Sequence, residues 1–348
     1  MKPFDYQRAE DPAAAVATVA ARPGASFLAG GTNLVDHLKL GVTSPDLLVD
    51  LGRLDLADIE DLADGGLRIG AMVRNSDLAA DPRVRRGYPV LSRALLSGAS
   101  GQLRNAATTG GNLLQRTRCV YFQDTTTPCN KREPGSGCSA LGGYTRYHAI
   151  LGASEECIAT HPSDLAVALT ALEATVVVLG ADGRQRIPVA ELHRLPGDDP
   201  HLDTVLEHGD LITAVELPAP VPSQRSTYRK IRDRASYAFA LVSVAAVLEL
   251  DSSGPGPSIR AARLALGGVA HAPWRARRAE QALIGAPATR EVFRQAAAAE
   301  LEQARPVSGN EFKVPMAQGA LVTVLSELAR LPPERPAGPA ADEGVAHE

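Results

Sequence analysis

Residues 105–119 read N-A-A-T-T-G-G-N-L-L-Q-R-T-R-C, residues 119–138 read C-V-Y-F-Q-D-T-T-T-P-C-N-K-R-E-P-G-S-G-C, and residues 155–165 read E-E-C-I-A-T-H-P-S-D-L. These runs hold all four cysteines of the 348-residue chain: Cys119, Cys129, Cys138 and Cys157. A Thr-Thr-Gly-Gly-Asn turn precedes the first cysteine, and a Ser163-Asp164 helix start follows the last. The simplest reading is one site of two parts, a small-residue turn that admits a phosphate and a loop of four thiolates that holds metal. Between Leu113 and Pro162 the sequence has little periodicity and many Gly, Pro, Thr and Arg residues. A structureless loop of that length is out of place in a compact domain unless something orders it. Metal ligation would supply that order.

Outward from the loop, elements alternate. Downstream, Ser163 caps a helix through Ala174. Thr175–Gly180 and Gln185–Val189 flank Ala181-Asp182-Gly183 as a hairpin, and Leu211–Leu217 is a further strand. Upstream, Asp11 and Pro12 start a helix over residues 11–21. Ala25–Ala29 is a strand that runs straight into Gly30-Gly31-Thr32-Asn33. Asp46–Leu51 and Leu67–Val73 read as strands, and residues 89–97 have helical apolar spacing. Pro-Ala-Pro-Val-Pro at 218–222 marks a boundary. Beyond it come strands at Ser226–Arg232, Ala238–Leu250 and Ile259–Val269, then helices at Ala276–Ile284, Thr289–Ala304 and Val314–Leu331. Strands followed by helices is the α+β order. The chain therefore divides into residues 1–220, residues 221–331 as a C-terminal α+β domain with a three-stranded sheet, and a Pro-, Ala-, Gly- and acid-rich tail from Pro332 expected to be disordered.

Composition excludes some functions. The 36 basic and 40 acidic residues leave a net charge of −4, without the basic stripe of a nucleic-acid binder. No apolar run approaches a membrane span. The N-terminal M-K-P-F-D-Y-Q lacks the apolar core of a secretory signal, so a cytoplasmic location is expected unless a partner exports the chain. In a reducing compartment, clustered cysteines point to metal before disulfides.

Three features carry chemistry. Leu28-Ala29-Gly30-Gly31-Thr32-Asn33-Leu34 ends a strand with a glycine pair, which lets backbone N–H groups converge on an anion without Cβ obstruction. It is not the G-x-G-x-x-G fingerprint of an ordinary Rossmann site. Ala107-Thr108-Thr109-Gly110-Gly111-Asn112 repeats the device, and two such turns suit the two phosphates of a dinucleotide; each is also an ordinary tight turn. The cysteines are separated by nine, eight and eighteen residues. Structural zinc sites draw on short Cys-x-x-Cys knuckles, and none occurs here. Four spread ligands suit a larger body such as a cubane cluster, with zinc or unligated thiols as the alternatives. Arg116, Arg118, Lys131 and Arg132 either offset thiolate charge or are solvated loop residues. Asp164 reads equally as helix N-terminal electrostatics, and Lys230 as a solvated strand edge.

The combination of L-A-G-G-T-N-L, A-T-T-G-G-N and P-S-D-L, in that order, with S-Y-A-F-A-L-V-S-V-A-A further on, resembles the FAD-binding subunit of the molybdenum hydroxylases, the xanthine dehydrogenase family. The resemblance spans residues 1 to about 330. The cysteine insertion is similar to the branch whose flavin subunit also carries a [4Fe–4S] cluster, that of periplasmic-type bacterial aldehyde oxidoreductases and of 4-hydroxybenzoyl-CoA reductase. It implies an α+β fold in which two subdomains hold FAD, as in the vanillyl-alcohol-oxidase-like flavoproteins. By that resemblance Leu28, Ala29, Gly30, Gly31, Thr32, Asn33 and Leu34 wrap the pyrophosphate, and Thr108, Gly110, Gly111 and Asn112 line the second side. Asp164 bonds the ribityl or phosphate region, Ile212 lies near the adenine, Lys230 lies near the flavin, and Tyr237 falls where some relatives place a side chain over the isoalloxazine. Cys119, Cys129, Cys138 and Cys157 ligate the cluster. The implied role is electron transfer. A molybdenum-cofactor large subunit oxidises an aldehyde, a [2Fe–2S] small subunit passes electrons to FAD, and an external acceptor receives them. No catalytic residue for the aldehyde chemistry is expected on this chain. The rival readings are a reductase with reversed electron flow and a zinc-stabilised scaffold without redox activity.

Overall fold

A computed structural model describes residues 1–253 and 256–330. Its strands form three sheets. The first is small and parallel, with β1 (Asp5–Arg8) and β2 (Ala25–Leu28) on either side of β3 (Leu47–Asp50). The helix Pro12–Ala20 connects β1 to β2; Asp11 caps it by accepting from the Ala14 N–H at 2.8 Å, and proline opens its first turn. The helix Leu34–Leu40 connects β2 to β3 and stops at Gly41, in the left-handed conformation.

The second sheet is antiparallel, in the order β4 (Ile59–Asp61), β5 (Leu67–Gly70), β8 (Leu211–Leu217), β6 (Thr175–Gly180), β7 (Gly183–Pro188). The central strand β8 is buried along its whole length. It pairs with β5, so the cysteine loop and the helix Asp164–Ala171 are inserted between two sheet neighbours far apart in sequence.

The third sheet has the order β12 (Trp274–Arg275), β11 (Ser258–Gly267), β10 (Val242–Asp251), β9 (Gln224–Ile231). Three long strands are as expected, and two residues add an edge. Both faces of β10 are covered. Ala245 and Val247 join a core built on the helices Pro89–Ser97 and Asp164–Ala171. Val244, Ala246 and Leu248 join a second core under the helices Arg277–Leu283, Arg290–Leu301 and Lys313–Arg330. Alternate residues point to opposite faces of a strand, so burial on both sides explains the run Val-Ser-Val-Ala-Ala-Val-Leu, apolar but for Ser243.

Some bounds differ from expectation. The strand expected from Ala238 begins at Val242, because its ladder to β9 starts only there, opposite Ile231, the last residue of β9. The segment before it becomes a loop. The strand expected to reach Val73 ends at Gly70, where the chain turns to meet the second glycine motif. The tail from Pro332, and Leu331 at the end of the last expected helix, lie outside the described residues. Among the described residues no helix is long and apolar enough to cross a membrane.

Candidate cofactor chamber and thiol pocket

The two glycine motifs meet. A Cβ on Gly30 would fall 2.1 Å from the Ala106 carbonyl oxygen, so the first turn lies directly on the backbone leading into the second. A Cβ on Gly111 would reach 2.9 Å from Thr108 Oγ1 and 3.9 Å from Ala29 Cβ. Gly31 has φ +72 and carries the chain from β2 into the helix Leu34–Leu40. The N–H groups of Gly30, Gly31, Thr32 and Asn33 have no backbone acceptor among the described residues. Four successive unpaired donors make a ready anion cradle. The second motif is fixed from behind: Thr109 and Gly110 donate their N–H groups to Val73 and Ala71, and Thr108 caps the turn through Gly111.

These turns form the floor of a chamber of about 1100 Å³. That is the size of a large-cofactor site. Every residue nominated above for the cofactor lines it except Leu28. Ile212 lines it from β8 and Tyr237 from the loop before β10. Two nominated side chains are already engaged. Asn33 Oδ1 accepts from the Arg116 N–H at 2.9 Å, and Asn112 Oδ1 accepts from Ser163 Oγ and Gln115 Nε2, both at 2.6 Å. Each ties its turn to the ends of the cysteine loop.

Lys230 is not a solvated strand edge. Its Nζ sits 2.7 Å from Asp164 Oδ2, and Tyr228 donates its hydroxyl to Asp164 Oδ1 at 2.5 Å. Burial, then the Asp164 charge, pushes the Tyr228 phenol well above its ordinary range. Asn75 was not foreseen. Its Oδ1 is buried, faces no partner among the described residues, and belongs to a residue of the chamber wall. The local sequence N-S-D looks like an ordinary helix start, which hid it. Arg118, stacked 5.0 Å over Phe239, and His161, 4.1 Å from His193, also line the chamber.

The four cysteines, all free, line one small pocket with Tyr121, Phe122, Pro128 and Ala140. Cys129 and Cys138 face each other across an isolated antiparallel bridge. Burial pushes the Cys119 thiol up to about 11 and the Cys157 thiol to about 12, with the Ala159 N–H and then the Lys131 charge opposing the latter. Among the described residues no three His, Cys, Asp or Glu side chains are arranged to hold a single metal ion. Cys119 belongs to the walls of both cavities. Three of the loop's basic residues are tied into the fold. Buried Lys131 bonds Asp203 and, at 2.7 Å, the Pro200 carbonyl; Arg116 Nε bonds Asp203 at 2.6 Å; Arg132 bonds the Tyr121 and Phe122 carbonyls at 3.0 and 2.8 Å.

A family profile described as the FAD binding domain in molybdopterin dehydrogenase matches residues 2–220, and one described as the CO dehydrogenase flavoprotein C-terminal domain matches residues 226–328. The chain is 54% identical to the aldehyde oxidoreductase FAD-binding subunit PaoB of Escherichia coli, over 94% of this chain and 98% of that protein. It is 27% identical to the glyceraldehyde dehydrogenase medium chain of Sulfolobus acidocaldarius, over 88% and 89%. Among solved structures, carbon monoxide dehydrogenase from Hydrogenophaga pseudoflava superposes with a TM-score of 0.73 at 25% identity, covering 94% of this chain and 97% of that one.

Proposed function

The chain belongs to the FAD-binding subunits of the molybdenum hydroxylases, and from that premise we propose that it is the electron-transfer subunit of an aldehyde-oxidising complex. The observation that carries the reading is the chamber built where the two glycine turns touch. Its unpaired N–H groups at Gly30 to Asn33 suit the pyrophosphate, and Thr108, Gly110, Gly111 and Asn112 close the opposite side. Ala29 and Leu34 flank the first turn, while Leu28 acts behind it as packing under Gly31. Asp164 and Lys230 offer a fixed pair of charges to the polar middle of the cofactor. Ile212 offers an apolar surface to the adenine, and Tyr237 a ring at the flavin end. Asn75 Oδ1 adds an acceptor awaiting a donor. Bound FAD supplies the redox chemistry; the protein supplies position and electrostatics.

Cys119, Cys129, Cys138 and Cys157 are assigned to one [4Fe–4S] cluster. The support is that four free thiols line one pocket and that no three of them are set around a single ion among the described residues. A zinc ion demands four ligands on one centre, whereas a cubane presents four iron corners around a body. Buried, protonated thiols would release protons on loading, as metal-coupled folding requires. The aldehyde chemistry belongs to a partner with a molybdenum cofactor, and a [2Fe–2S] partner delivers the electrons.

The test is the assembled complex, co-expressed with the neighbouring subunits and purified without oxygen. Flavin bands, broad iron–sulfur absorption and iron in excess of that held by the [2Fe–2S] subunit are expected. Cys129→Ser should lose that excess. One zinc per chain without the extra iron would make the loop a structural zinc site, and absence of flavin would refute the chamber assignment.

A further inference from the structure

His148 stands between the two cavities. Its Nε2 lies 3.2 Å from Cys119 Sγ, and it lines the chamber beside Cys119, which lines both spaces. The other ring nitrogen, Nδ1, is buried with no partner among the described residues. That asymmetry fixes the proton. A proton on Nδ1, alone or in addition, would leave a buried N–H without an acceptor, and a ring protonated only there would set its Nε2 lone pair against sulfur. With the single proton on Nε2, only a lone pair goes unpaired, the cheaper loss.

The backbone that carries the ring is held from several directions. The His148 backbone N–H donates to the Thr145 carbonyl at 2.8 Å, and the His148 backbone carbonyl accepts from Lys313 Nζ at 2.8 Å and Asn310 Nδ2 at 3.3 Å. Lys313 is fully buried at the start of the long C-terminal helix, so that helix pins the His148 main chain. Tyr121 stacks beside the ring at 6.5 Å. The four sulfurs are unequal: Cys157 Sγ accepts only a long bond from the Ala159 N–H at 3.5 Å, and among the described residues Cys129 and Cys138 accept none.

We propose that His148 is a positioning residue that donates its Nε2–H to the Cys119 thiolate and raises the reduction potential of the cluster on its flavin-facing side. The proposal rests on the cluster assignment above. One electron added at the cluster puts negative charge on the ligand sulfurs, and a donor N–H stabilises that charge. The proton stays on Nε2 in both oxidation states, so the step moves one electron and no proton. Because Cys119 is the thiol shared with the chamber, the stabilised sulfur is the one nearest electron exchange with FAD.

The experiment is a potentiometric titration of the assembled complex followed by EPR, comparing wild type with His148→Phe, which keeps a flat ring and removes the donor. With iron and FAD unchanged, the reduction equilibrium of the cluster should fall by about tenfold, a shift of about 59 mV to more negative potential for one electron. An unchanged potential at full iron content overturns the role of His148 and leaves the cluster reading standing. Wild type without the extra iron overturns both. Should His148→Phe lose its iron, pulsed EPR of reduced wild type with ¹⁵N-labelled histidine decides. A weakly coupled imidazole nitrogen with an exchangeable proton supports the bond, and its absence overturns it.

Discussion

Lys230 Nζ lies 2.7 Å from Asp164 Oδ2, with the two side chains only 4% and 9% exposed. One residue opens the helix that follows the cysteine loop, and the other sits on β9 of the C-terminal sheet, so this ion pair joins the two halves of the chain at the chamber wall. Taking one partner from a buried pair strands the other charge, at about 3–5 kcal/mol. Lys230→Met is therefore expected to lower the melting temperature and deplete FAD together. An unchanged melt with full flavin occupancy would show that the pair supports neither fold nor cofactor.

Gly30 carries the contact between the turns. The atom that a Cβ would strike is a backbone carbonyl, which cannot swing aside as a side-chain end would. Gly30→Ala should cost about 1–3 kcal/mol as an overpacked contact and push the two turns apart. Gly111→Val should spare more of the fold, since the first atom it meets is a side-chain hydroxyl, yet block approach of phosphate. FAD per chain, measured beside a thermal melt, separates the two: Gly30→Ala loses both, Gly111→Val mainly flavin. Wild-type flavin content in a folded Gly111→Val protein would remove the phosphate role of the second turn.

His37 and His271 make the fold acid-sensitive. Burial, reinforced by Arg118 and Arg116, pushes the His37 imidazole down to about 4; burial, reinforced by Lys131, does the same for His271. The unfolded chain binds these protons near pH 6.5, the folded one only near pH 4. Stability from keeping both rings neutral is thus complete above about pH 6.5 and is lost as pH falls toward 4. Each ring contributes up to about 3 kcal/mol across that window. Melting temperature against pH should slope downward between these values, and His37→Gln should flatten the slope. A flat profile in wild type would contradict the burial argument.

Much of this was legible because it is local. The Asp11 and Ser163 caps, the β6–β7 hairpin and the long C-terminal helices follow from spacing and cap chemistry. The glycine motifs announced themselves by composition. What sequence did not disclose is what distant segments do to one another. Nothing in Y-R-K-I-R-D-R says that Lys230 is buried against an aspartate 66 positions earlier. Asn75 looks like any helix start. Arg116, Lys131 and Arg132 look like solvated charges, yet Arg116 and Lys131 bond distant Asp203 and Arg132 bonds carbonyls across its own loop. The strand expected from Ala238 was too long because the apolar residues continue upstream in sequence, while the ladder to β9 starts only at Val242.

The last prediction concerns Asp203, which binds both Arg116 and Lys131. Lys131 is 1% exposed and lines the thiol pocket, and Arg116 stacks 4.7 Å over Phe122 on the same pocket wall. Burial alone would raise the Asp203 carboxyl, but the charges of Arg116 and Lys131 hold it well below the usual range. Its stabilisation is present above the unfolded carboxyl value of about 3.9 and fades only as pH falls through the lower folded one. The pair therefore stays intact across the window in which His37 and His271 titrate. Asp203→Asn leaves the Lys131 ammonium buried without a counter-charge. Because Asp203 itself is 29% exposed, the cost should be roughly 2–4 kcal/mol, short of a wholly buried pair. The damage should fall on the cysteine loop before the chamber, since Lys131 touches the former. Metal content, FAD content and melting temperature of Asp203→Asn and Asp203→Glu, measured side by side, check this. Metal should fall first in Asp203→Asn and recover in Asp203→Glu, which restores the charge. Loss of FAD with metal retained would mean that the network serves the chamber and not the thiols.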